Sequence, residues 1–592
     1  MNQHLLLVML AIPAGSLVTF GVEADARRIA HEALEAPLDL DLRNVPPPKL
    51  ADLLRERLGV PVVLDERALR EAGITPITPL NFRIRRVPAR VALGELLGQV
   101  GLTYIVRRGA VVITSWPAAI RAMEVRGYPV SDLVGRDGRY YRDLMEQIRR
   151  LVAPPSWKDV GGPGDMTYEL AHSQLVVSNA VPVHEILSEH LVRLREARRQ
   201  SAAGMAASPS PAPRPADAHR LLTNADVIAR LEQPARLEIV ARPLGTVLKT
   251  LEDSLQVSIV PNHPALDAEG IMLDRPVTVR VERVTYKTAL ELLLKPLDLT
   301  FVDREGYILV TTQLDAAKAL DHEFFPVADV ARDRDEVASL EEMLQATVAD
   351  NSWSDVGGSG SIWYDAPGKL WIVSQTRAVH RQIAAWLDRL RHARRRATRD
   401  LAFEPNRESV SQSRPVGVLT KADVYTKLQQ PVSFDFPGVA LEKAIAALEK
   451  QCGLSFVVDQ VALEEDGIAA NTPVTLQLNQ VPAGSALKLL LRELDLTYLV
   501  ADGYALITSP LQADNSLELE FYPIGDLART PEQVEAIADL IERTIQRDSW
   551  SRVGGRAKLQ RDYAAPVLLI TQTQAAHERI AELLTQARRK GR

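Results

Sequence analysis

An internal period fixes the architecture of this chain before any residue is given a role. Pro37, Pro234 and Pro431 recur every 197 residues, as do Gly73, Gly270 and Gly467 and also Thr103, Thr300 and Thr497; Trp157, Trp353 and Trp550 follow at 196 and 197. A solenoid unit would be roughly 20 to 50 residues long, so a unit of this length must hold one or two complete cores of its own. The 592 residues thus read as three copies. A hydrophobic content of 46% and a charged content of 25% are globular values, and a net charge of −6 gives no global pull toward phosphate backbones or anionic lipid.

Residues 1–26 read as a cleaved export signal. Leu5 to Leu10 is unbroken and apolar, Pro13 and Gly15 interrupt it, and Ala24-Asp25-Ala26 is a small-x-small site. Met1-Asn2-Gln3-His4 lacks Lys and Arg, which leaves an uncleaved N-terminal anchor as the alternative. Cys452 is the only cysteine, so neither an internal disulfide nor a lipid-attachment cysteine after the signal is expected. No later segment reaches the roughly 18 uninterrupted apolar residues of a membrane span.

In the second copy, alternation predicts strands at 236–241, 257–260 and 277–281, and helical spacing fills 244–255. Leu290, Leu293, Leu294 and Leu297 fall at i, i+3, i+4 and i+7, matched by Leu93, Leu96, Leu97 and Val100 and by Leu487, Leu490, Leu491 and Leu494. A hairpin closes this half, turning at Glu305-Gly306 and, in the third copy, at Asp502-Gly503. The predicted order is βαββαββ. The second half reads βαββα: a strand at 323–327, a helix from Glu336 to Val348, two strands ending at 371–373, and a helix from Arg377 to Arg391. The fold class is α+β, with helices on one face of small sheets and no barrel or transmembrane core. First halves are expected at 27–116, 221–313 and 418–510, and second halves at 117–199, 314–396 and 511–592. The stretch 200–220, rich in Ala, Ser and Pro, and the similar 397–417 are expected linkers that let the pairs move relative to one another.

The most specific motif is Ser-Trp, then Gly-Gly, then a distant His: Trp157, Gly161, Gly162 and His184; Trp353, Gly357, Gly358 and His380; Trp550, Gly554, Gly555 and His577. The structural reading makes Trp a core cap, the glycines a positive-φ turn, and His a first-turn residue of the last helix. The functional reading has exposed Trp rings stacking on sugars or on a partner. One recurring His without a second ligand does not make a metal site, and no cofactor is expected. Gly161 to Gly164 and Gly357 to Gly360 have the Gly-x-x-Gly form that clamps nucleic acid in KH domains. Ala557 breaks that form in the third copy, so no nucleic-acid partner is expected. Basic runs end each copy, at Arg193, Arg195, Arg198 and Arg199, at Arg391, Arg394, Arg395 and Arg396, and at Arg588, Arg589, Lys590 and Arg592. Complementing the helix dipole accounts for them locally, with an anionic partner as the alternative. No catalytic constellation recurs across the copies.

The first half of each copy resembles the secretin and TonB N-terminus short domain (STN). The resemblance rests on LEIV at 237–240 or VSFDF at 432–436, on PLGTVLKTLEDSL at 243–255 or ALEKAIAALEKQC at 440–452, on the second helix at 288–299 or 485–496, and on the hairpins at 299–312 and 496–509. The second half is similar to a secretin periplasmic ring domain of the KH-like type. The resemblance implies a periplasmic module that docks protein partners of a secretion or envelope machine, with no catalytic residues to carry over. Secretins continue into a membrane gate, which this sequence does not. The expected function is an exported, non-enzymatic scaffold or adaptor. The alternative is a cell-wall or polysaccharide binder using Trp157, Trp353 and Trp550. The first copy departs at Ala110, where the others carry Tyr, and at Val45-Pro46-Pro47-Pro48.

Overall fold

The computed structural model describes residues 14–135, 138–203, 220–398 and 417–590. The first half of the expected signal and most of both expected linkers (204–219 and 399–416) lie outside the described residues. The helix Ala14–Glu35 runs unbroken across Ala24-Asp25-Ala26. Among the described residues no helix is long and apolar enough to cross a membrane, and the sheets, of two or three strands each, form no barrel.

In the second copy, the strands Pro234–Pro243 and Pro276–Thr285 pair antiparallel as one sheet. Ser258–Pro261, Tyr307–Thr312 and Leu299–Arg304 form another, the first pair parallel and the second antiparallel. The helices Leu244–Leu255 and Tyr286–Leu294 touch both sheets, so the core lies between them and includes Leu248, Leu251, Leu290 and Leu293. Leu290, Leu293, Leu294 and Leu297 are all buried, as the spacing requires. The strands follow the expected order, but three short helices join them: Asn224–Leu231, His263–Ala268 and Gln313–Lys318. Side chains of Thr223, Asn262 and Thr312 cap these helices. Helices of six to eight residues are too short to register in a periodicity window. The prolines of the first copy have a local reason, since Pro47 and Pro48 open the helix Pro47–Leu58, where a missing N–H costs nothing.

The second half places Leu370–Thr376 between Leu320–Pro326 and Ser361–Asp365, all antiparallel. Its residues Leu370 to Val373 are all buried, where a sheet with one wet face would alternate. Trp371 and Val373 belong to the core of their own copy, whereas Leu370 and Ile372 join the core of the preceding one. In the third copy Leu568 and Ile570 face inward, while Val567 and Leu569 join the core of the second. In the first copy the strand Gln174–Ala180 buries only Leu175 and Val177 among its first five residues. Each second-half sheet after the first is therefore covered on its far face by the copy before it. The expectation of independently moving pairs is corrected on this point: the far faces are apolar, and their burial against the neighbour holds the copies together.

Candidate functional site

The recurring motif is structural in all three copies. Trp157, Trp353 and Trp550 are 1–2% exposed. Each indole Nε1 donates to the backbone carbonyl of Val152, Val348 or Ile545 at 2.7, 2.8 and 2.8 Å. Gly161, Gly357 and Gly554 have φ of 91°, 88° and 92°, the left-handed region that disfavours a Cβ. At Gly162, Gly358 and Gly555 a Cβ would run into the backbone of Ser156, Ser352 or Ser549 at 2.0–2.3 Å. This close packing accounts for the recurrent glycines without a nucleic-acid clamp. The reading of exposed, sugar-stacking tryptophans is corrected by their burial, which leaves no ring face free.

The three histidines fasten the last helix to the first strand or the central strand. Nε2 of His184, His380 and His577 donates to the carbonyl of Glu124, Val373 and Glu518 at 3.0, 3.1 and 2.8 Å. Nδ1 of His184 and His577 accepts from Tyr128 and Tyr522 at 2.7 and 2.9 Å. In the second copy Phe325 takes the place of tyrosine. Burial pushes His380 down to about 4 and lowers His184 and His577. All three thus work as neutral hydrogen-bonding groups. Among the described residues no group of three His, Cys, Asp or Glu could hold a metal ion.

The polar chemistry concentrates instead at the seams between copies. Arg198, near the end of the helix Val181–Ala202, makes a two-point pair with Asp365 of the next copy at 2.6 and 2.8 Å and donates to Leu133 O of its own. Arg394 repeats this with Asp562 at 2.6 and 2.9 Å. Both carboxylates are almost fully buried. Arg193 reaches Asp321 and Glu323 and lies over Phe324; Arg389 reaches Glu520 and lies over Phe521. Burial raises Glu323 despite Arg193, whereas at Asp321 Arg377 and Arg193 overcome burial and hold the carboxyl low. His190 faces His322 across the same seam and is pushed down to about 3, by burial first and then by His322 and Arg193.

The first halves dock by a parallel set of contacts. Arg90 pairs with Glu305 at 2.7 Å, Arg83 with Glu252 at 3.6 Å, and the Tyr307 hydroxyl donates to Glu95. The Arg85 amide donates to Ser258 Oγ at 3.0 Å, and the Glu282 amide to Ser455 Oγ at 3.2 Å. Leu222 N to Arg86 O and Leu419 N to Arg283 O, both 3.0 Å, complete the repeat. Val260, Tyr307 and Leu309 enter the core of the first copy. A shallow groove of about 350 Å³ along this seam is lined by Arg83, Gln99, Glu252 and His263, among others.

The expectation placed the terminal arginines as dipole partners of their own helices. Arg195, Arg391 and Arg588 do stay at home, gripping Asp132, Asp329 and Asp526. Arg193, Arg198 and Arg394 belong to the basic runs of the sequence; what reasoning from single copies missed is Arg389 and the acceptors of all four on the following copy. A signal was present in Ala110, which stands where Tyr307 and Tyr504 dock against the copy before them.

No family model matches the chain, and no curated protein matches it. Among solved structures, the N-terminal domain of the secretin XcpQ from Pseudomonas aeruginosa is 18% identical with a TM-score of 0.10 over 27% of this chain. The chain spans 65% of the length of that structure. A GspC–GspD complex from the type II secretion system of enterotoxigenic Escherichia coli is 13% identical with a TM-score of 0.11, covering 27% of this chain and 99% of that one. At these scores, over about a quarter of the sequence, the likeness carries no argument about the whole.

Proposed function

We propose that this chain is a non-enzymatic scaffold of the periplasm, built from three STN-like and ring-like pairs, that binds protein partners of a secretion or envelope machine. The observation that carries this reading is a surface residue repeated in register. Val160, Val356 and Val553 are 68%, 65% and 60% exposed, each in the turn between the buried Trp and its glycine pair. The turn needs no apolar side chain at that position, yet all three copies keep one, while the two residues before it read Lys158-Asp159, Ser354-Asp355 and Ser551-Arg552. Because the copies are packed in line, these valines are offered three times at fixed separations, which suits a multivalent protein contact. The sequence resemblance of the first halves to the secretin and TonB N-terminus short domain supports the choice of partner class. Burial of Trp157, Trp353 and Trp550 removes the residues on which the polysaccharide reading depended.

The test is capture of envelope proteins by the immobilised full chain. A triple variant, Val160→Ser with Val356→Ser and Val553→Ser, should lose captured partner by about 10²-fold or more, while each single variant loses only a few-fold. Melting should be unchanged, because exposed sites contribute little to stability. Undiminished capture by the triple variant would refute this site, and binding to purified cell-wall polymer instead would refute the partner class.

A further inference from the structure

We infer that the outer faces of the first and third copies reject a further copy of this chain, because they carry the internal docking surface with most of its charges reversed on one face and removed on the other. Contacts between successive copies are heterologous: the downstream face of one meets the upstream face of the next. Such contacts extend indefinitely unless something stops them. Repeat arrays are normally closed by altered terminal units.

The downstream face carries five cations. In the first copy these are Arg83, Arg86, Arg90, Arg193 and Arg198, and the second copy has Arg280, Arg283, Lys287, Arg389 and Arg394 at the same positions. The third copy has Gln477, Gln480, Gly484, Gln586 and Gly591, so none of the five charges remains. The upstream face carries the acceptors. Glu252, Glu305, Glu323 and Asp365 in the second copy correspond to Glu449, Asp502, Glu520 and Asp562 in the third. The first copy places Arg55, Arg108 and Arg126 at the first three of these positions; it keeps Glu169 at the fourth, and Glu124 stands at the position of Asp321, the other carboxylate that Arg193 reaches.

Uncharged docking groups are also replaced or left exposed in the first copy. Ser258 and Ser455, whose hydroxyls accept backbone amides across the seam, correspond to Pro61. Phe324 and Phe521, which lie beneath the crossing arginines, correspond to Gly127. Val260 is 3% exposed in the seam, whereas its counterpart Val63 is 49% exposed. A second chain approaching head to tail would bring none of the five docking cations and would meet arginines at three of the acceptor positions. Like charges set opposite one another are how interfaces reject wrong partners. The terminal faces thus exclude a further copy of this chain.

Sedimentation of the full chain tests this. Wild type should keep the mass of one chain at low salt. A variant with the upstream acids restored (Arg55→Glu, Arg108→Glu, Arg126→Glu) and one with the downstream cations restored (Gln477→Arg, Gln480→Arg, Gln586→Arg) should each stay monomeric alone. Mixed, they should form a 1:1 complex that weakens at least about tenfold between roughly 50 mM and 500 mM salt. Arg126 pairs with Glu124 and Glu185 in its own copy, so a version keeping Arg126 guards against misfolding. Salt-sensitive self-association of wild type would overturn the inference, as would failure of folded variants of both kinds to associate when mixed.

Discussion

Arg394→Ala is expected to destabilise the third copy by about 3–5 kcal/mol, the range for breaking a buried ion pair by removing one partner. The loss comes less from missing attraction than from what is left behind. Asp562 is 1% exposed and would keep a carboxylate with only the Ala564 amide to bond. Removing both partners should cost much less than removing one, because no uncompensated charge remains. A double-mutant cycle with Asp562→Ala isolates the pair, and hydrogen exchange along Lys558–Asp562 reports it locally. Exchange is preferable to a global unfolding free energy, which is poorly defined for several packed cores. Additive single and double effects would mean that the pair is not formed.

Trp353→Ala should cost about 3–5 kcal/mol in the second half of the second copy, as large-to-small changes of buried aromatics do. The indole is 1% exposed and sits among Leu344, Val348 and Ile383 of one core. Trp353→Phe should restore much of the packing but leave the Val348 carbonyl without its donor, a penalty of about 1–3 kcal/mol. Thermal melting of the full chain distinguishes this from a surface role. A stacking tryptophan would lose ligand affinity with no change in melting.

The sequence and the structure agree where one element suffices for the argument. The i, i+3, i+4, i+7 leucines marked a buried helix face because burial of that face is the only use for the pattern. His184, His380 and His577 lie at the start of the last helix, each bonded to a backbone carbonyl of its own sheet. The seams were not legible in the same way. Arg198 and Arg394 already had a sufficient local partner in the helix dipole, and Asp365 and Asp562 lie 167 and 168 residues away. What could have exposed them is comparison between copies. The run LWIV at 370–373 is apolar on both faces where QLVV at 174–177 is not, and Glu305 and Asp502 correspond to Arg108. Positions that change only in a terminal copy mark a contact that the terminal copy lacks.

The account rests on the copies being held by their packed faces rather than by the segments between them. A site-specific protease sequence placed at Pro209, followed by cleavage, tests this directly by gel filtration. The nicked chain should elute at the position of the intact one at ordinary protein concentrations. At high salt the two pieces should begin to separate, since charged pairs contribute to the seam. If the first copy leaves the other two as soon as the chain is cut at low salt, the copies are merely tethered and the stacked arrangement is wrong.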